Sequence, residues 1–196
     1  MGRRLFTTLA AAALAMAGQH AEAGALTYDA GIVTGATGVS VDGSLYDARF
    51  VDGTCVGLFS GCDSNAGASF TFTTFTDAQN ASQALIDQVF AGNPDPGTIS
   101  GCADAHQTNA STVCSILIPY ATGLPFVFFS GPVVFRGTQL VNGDAIDANA
   151  DTTTDRTAVY AVFSAAQTAI PEPLSGAVLL AGVAGAIATR RKRRKT

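Results

Sequence analysis

The chain has 196 residues, is 47% hydrophobic and carries a formal net charge of −4, which allows one packed domain with a sizeable core. Most Lys and Arg sit at the two ends, so residues 24–170 hold thirteen Asp, no Glu, three Arg and no Lys, a net charge of −10. That balance excludes nucleic acid as a partner, because phosphate contacts need Lys and Arg, and it disfavours adsorption to anionic lipid.

Residues 1–23 read as a signal peptide. Arg3 and Arg4 precede an apolar run over 5–17, and Ala21 and Ala23 flank Glu22 in a small-x-small cleavage site, so cutting would fall before Gly24. Arg3-Arg4-Leu5-Phe6 partly fits a twin-arginine signal but lacks the usual flanking residues, so general secretion is the expected route.

Residues 24–170 form the expected exported globular domain. Short strands are predicted over 27–29, 32–34, 38–41 and 45–51, with turns at Asp42-Gly43 and Asp52-Gly53. Residues 69–75 alternate, with Phe70 and Phe72 on one face and threonines on the other, and predict a further strand. A helix is predicted over 77–91, capped by Thr76 with Gln79 three residues on and carrying an apolar stripe that includes Ala78, Ala81, Leu85 and Val89. Gly92 and the prolines Pro94 and Pro96 end it. Strands follow over 113–120, 124–130, 133–137 and 158–165. The nearly continuous apolar run at Phe126, Phe128 and Phe129 predicts a strand buried on both faces, and Asn142-Gly143 predicts a turn. The fold class is α+β, a mainly antiparallel sheet with one packed helix; a β-sandwich is the alternative.

Cys55, Cys62, Cys102 and Cys114 are an even set in an exported chain, which reads as disulfides. Three pairings exist, and the local one, Cys55–Cys62 with Cys102–Cys114, is favoured because each closes a short loop. Their spacing does not suit a zinc site.

Chemistry-bearing motifs are few. The domain has a single histidine, His106, with no marked nucleophile or positioned partner. Asp147, Asn149 and Asp151 place alternate oxygen donors along one loop, as calcium requires. Thr152 stands where an EF-hand needs Gly and Ala158 where it needs its closing Glu, so an EF-hand is excluded. A simpler calcium loop and a solvated acidic loop remain. No cofactor is otherwise implied. Three functions stand beside one another: a non-enzymatic surface or matrix protein, a carbohydrate-binding module with or without calcium, and a hydrolase using paired Asp carboxylates.

The last residues are an address of their own. Pro171-Glu172-Pro173 is followed by an apolar run over 174–189 and then Arg190, Arg191, Lys192, Arg193, Arg194 and Lys195. As a helix the run would span about 24 Å, marginal for a bilayer core of about 30 Å, with the basic residues snorkelling and staying cytoplasmic. This three-part block, over 171–196, resembles a PEP-CTERM sorting signal. The resemblance implies export across the inner membrane of a Gram-negative, polysaccharide-producing cell and a transient membrane anchor. It also implies cleavage near the motif by an exosortase, an integral-membrane cysteine protease or transpeptidase, and delivery to the cell surface or a biofilm matrix. The chain would then be the substrate of an enzyme rather than an enzyme. The stretch from Thr37-Gly38-Val39-Ser40-Val41-Asp42-Gly43 through Leu58-Phe59-Ser60-Gly61-Cys62 is similar to a recurrent PEP-CTERM ectodomain type, which implies a shared fold and no reaction.

Overall fold

The computed structural model describes residues 24–64, 68–92, 94–102, 113–135 and 138–166. The signal peptide with Ala21 and Ala23, His106, the motif Pro171, Glu172 and Pro173, the apolar run and the basic residues Arg190 to Lys195 all lie outside them. Among the described residues no helix is long and apolar enough to cross a membrane.

Seven strands make one sheet: β1 (Ala25–Asp29), β2 (Ile32–Val41), β3 (Ser44–Val51), β4 (Val113–Gly123), β5 (Phe126–Phe135), β6 (Thr138–Asp147) and β7 (Ala158–Ala165). Their order across the sheet is β1-β2-β3-β7-β4-β5-β6. The first three form a meander through two tight turns, Ala30-Gly31 and Asp42-Gly43, in which all four residues have positive φ, the geometry that matches strand twist. The next three form a second meander, and β7 closes the gap, antiparallel to β3 and parallel to β4. The fold is therefore α+β on a mixed, mainly antiparallel sheet, and the sandwich alternative falls because the described strands share one sheet.

The helix α2 (Phe75–Gln88) covers one face of the sheet. Its cap is Thr74, whose hydroxyl accepts from the Asp77 amide at 3.2 Å, so the helix starts two residues before the expected position and ends three before Ala91. Ala78, Ala81 and Leu85 are buried, as the stripe predicts. Under α2 lies a core containing Val33, Val39, Phe50, Phe90, Ile116 and Val159, and the disulfide Cys102–Cys114 belongs to it. The opposite face carries a second core with Phe59, Phe70, Leu117, Val127 and Tyr160, which includes the disulfide Cys55–Cys62 beside the short helix α1 (Cys55–Leu58). The local cysteine pairing is thus the one formed, and it places one staple on each face.

Residues 69–75 are not a strand. Phe70 joins the second core against Phe59, while Phe72 joins the first against Tyr46 and Phe163. The segment thus carries the chain from one face of the sheet to the other, and its alternation reflects two different cores. The strand buried on both faces is likewise elsewhere. Phe126 and Phe128 are 46% and 38% exposed, whereas β4 and β7, in the middle of the sheet, bury alternate residues in both cores. β5 runs through Gly131-Pro132 as one strand, and Asn142-Gly143 lies inside β6 rather than in a turn. Past Ala25, where β1 begins opposite Thr37, the outer side of β2 is completed by a helix side chain. Gln88 accepts from the Ser40 amide and donates to the Ser40 carbonyl, both at 2.8 Å.

Tyr160 is fully buried in the second core, its ring 5.9 Å from that of Phe59, and its hydroxyl has no hydrogen-bond partner among the described residues. Burial pushes its pKa up to about 12. An unpaired buried hydroxyl costs its desolvation, so Tyr160→Phe is expected to raise the unfolding free energy by about 1 kcal/mol in urea titration. A loss of stability would show that the hydroxyl is bonded after all.

Candidate functional site: an acidic loop and groove beside the last strands

The chemistry-bearing residues that the structure gathers lie where β6 ends and β7 begins. Residues 148–157 form a chain of turns made by Asp and Thr side chains. Asp147 Oδ1 accepts from the Asn149 amide at 2.8 Å, Asp151 Oδ1 from the Thr153 amide at 3.0 Å, and Asp155 Oδ1 from the Thr157 amide at 3.0 Å and its hydroxyl at 2.6 Å. Short Asp side chains start turns in this way where Glu is too long, which accounts physically for a domain with Asp and no Glu. The candidate calcium ligands Asp147, Asn149 and Asp151 are thus each placed within consecutive turns, and one oxygen of each aspartate already accepts from the backbone. Among the described residues no three His, Cys, Asp or Glu side chains converge as a metal-binding set.

Thr152 pins this loop to the rest of the domain. It is 1% exposed; its hydroxyl accepts from the Gly53 amide at 3.0 Å and lies 3.2 Å from Asp52 Oδ1, and its amide donates to the Gly53 carbonyl at 3.0 Å. Asp52-Gly53 was expected only as a turn; nothing in the sequence links it to a residue a hundred positions on. Burial raises the pKa of Asp52 above 3.8, the Thr152 bond opposes that rise, and the charge of Asp151 adds to it. A carboxylate whose folded pKa is raised contributes most at pH values below its unfolded pKa, and the contribution is lost as pH rises through the folded value. Asp52→Asn should therefore melt above the wild type at neutral pH, and the gap should narrow as pH falls towards 3.8. A gap independent of pH would remove this account of Asp52.

Next to the loop is an open groove of about 250 Å³ across the face opposite α2. Leu117, Ile146 and Ala158 contribute apolar lining, and Asn142, Asp144 and Asp155 contribute polar groups. Asp144 Oδ1 accepts from the Ala145 amide at 2.8 Å, so, like Asp155, this carboxylate is oriented by backbone. An apolar floor with hydrogen-bond acceptors around it can receive a small neutral ligand rich in hydroxyl donors. The fold and its staples define the class of protein: an acidic α+β domain held by two disulfides, the bonding of an oxidising compartment. In comparisons with known proteins, no family model, no curated protein and no solved structure matches the chain.

Proposed function

We propose that the chain is a non-enzymatic exported surface or matrix protein that an exosortase sorts at Pro171-Glu172-Pro173, in a polysaccharide or biofilm setting. The observation that carries this reading is the ordered C-terminal block, motif then apolar run then Arg190 to Lys195. Two formed disulfides support it, because reducing cytosol does not maintain such bonds. The use of Asp carboxylates as turn acceptors supports it too, since it gives the abundant acid a structural and solubilising task. The acidic domain is the cargo; the tail is what the enzyme reads. In the native host, replacing Pro171, Glu172 and Pro173 together with alanine should leave the full-length chain in the membrane, while the wild type yields a species that starts at Gly24, ends near Pro171 and carries no basic tail. Intact-mass measurement of both fractions checks this. Normal trimming of the triple variant would sink the proposal.

A further inference from the structure

The end of the sheet from which the chain runs on towards residues 171–196 carries an exposed apolar tip. β7 is parallel to β4, with Ser115 opposite Ala158 and Leu117 opposite Tyr160. Carrying that register forward sets Ala165, the last residue of β7, near the level of Thr122 in β4. The turn between β4 and β5 therefore projects past the end of β7, by about 7 Å at the usual rise of a strand. Leu124 and Pro125 make that turn, Phe126 follows it, and all three are exposed. Val127 is fully buried, so strand alternation turns Phe126 and Phe128 out together on one face. The Phe128 ring lies 6.5 Å from that of Tyr120, which lies 5.7 Å from the exposed ring of Phe75 at the start of α2.

We infer that this tip, the side chains of Leu124, Phe126 and Phe128, enters the headgroup layer of the bilayer that holds the apolar run 174–189, and so seats the domain on the membrane until the chain is cut. The inference rests on the sorting reading above. Its argument is the length of chain between the sheet and that run. The described residues end at Ala166, eight positions before Leu174. An extended chain covers at most about 3.6 Å per residue, so the end of β7 stays within about 29 Å of the start of the apolar run. β5 is two strands from β7, about 10 Å away at the usual strand spacing. The tip is thus held within reach of the bilayer surface. Tyr28, paired with Val33 near the start of β2, lies at the opposite end of the sheet. A tethered patch meets its surface at high effective concentration, so a contact too weak to bind a free domain forms while the tail holds. Aromatic rings settle at the boundary between headgroups and acyl chains. Charge selects the lipid. Asp147 lies opposite Phe126, and Asp42 sits in the β2–β3 turn at the same end. Both carboxylates stay hydrated among zwitterionic headgroups, which keeps the contact shallow, and anionic lipid weakens it.

The chain has no Trp, so a single introduced indole reports alone. Full-length Phe126→Trp, Tyr28→Trp and Leu180→Trp variants are reconstituted in phosphatidylcholine nanodiscs with and without brominated acyl chains, which quench nearby indoles. Leu180→Trp reports insertion of the tail itself. The expected result is quenching of about twofold or more in Phe126→Trp and Leu180→Trp and none in Tyr28→Trp. Adding Phe128→Asp should remove the quenching in Phe126→Trp and leave it in Leu180→Trp. Quenching in Leu180→Trp with none in Phe126→Trp would overturn the tip contact and leave the anchor standing. Blue-shifted but unquenched emission from Phe126→Trp would give the surface to a second copy of the chain and overturn it likewise. Equal quenching in Tyr28→Trp and Phe126→Trp would show adsorption without orientation, which also overturns it. Quenching in none of the three would remove the anchor and the tip contact together.

Discussion

Gly131→Ala is expected to cost at least about 3 kcal/mol, at or beyond the upper end of ordinary overpacking. Gly131 lies in β5 alongside its antiparallel neighbour β4, and a Cβ there would overlap the carbonyl oxygen of Ile116 and fall 2.8 Å from its carbonyl carbon. The obstacle is backbone, so no side chain can swing away, and separating the strands would break the ladder that carries both cores. Gly92→Ala is the matched control, since nothing lies within 4 Å of its Cβ position. Urea unfolding of the two variants makes the comparison. If Gly131→Ala unfolds within 1 kcal/mol of the wild type, the close approach of β4 and β5 is wrong.

Loss of the disulfides should be the second large effect. Closing loops of 7 and 12 residues is worth roughly 2.5 and 3 kcal/mol in the unfolded chain. The two bonds sit in separate cores on opposite faces, so their removal should be nearly additive. A combined loss above about 5 kcal/mol equals the whole stability of a marginal domain. The Cys102→Ala/Cys114→Ala variant should therefore lose about 3 kcal/mol in urea titration, and the variant lacking all four cysteines should be largely unfolded without denaturant. A cysteine-free domain that unfolds as cooperatively and as late as the wild type would show that the staples are dispensable. That result would also remove the structural reason for export to an oxidising compartment.

Several elements were legible because their signals are local. The Asp42-Gly43 turn follows from backbone preference alone. The stripe of Ala78, Ala81 and Leu85 marked the helix, and short loops between cysteines marked the pairing. The helix cap was misplaced because Thr74 and Thr76 both stand before the stripe, and only the amide of Asp77, bonded to Thr74, distinguishes them. β6 was missed because Asn142-Gly143 and its acidic neighbours look like turn residues; ten pairings to β5 outweigh that preference. Gly131-Pro132 looked like a break for the same reason.

The candidate site divides along the same line. Sequence alone singled out Asp147, Asn149 and Asp151, but their use as turn acceptors depends on φ/ψ values that composition does not carry. The contact of Thr152 with Asp52 and Gly53 spans a hundred residues and exists only because β7 inserts between β3 and β4. By itself the sequence determined an acidic domain with paired cysteines and raised the expectation of an address at each end, because charge, cysteine count and linear signals are read without folding. Only the tertiary structure decided which strands are central, which face each disulfide staples, how Phe70 and Phe72 part company, and that β6 is the outermost strand beside β5, because these follow from pairings between residues distant in sequence.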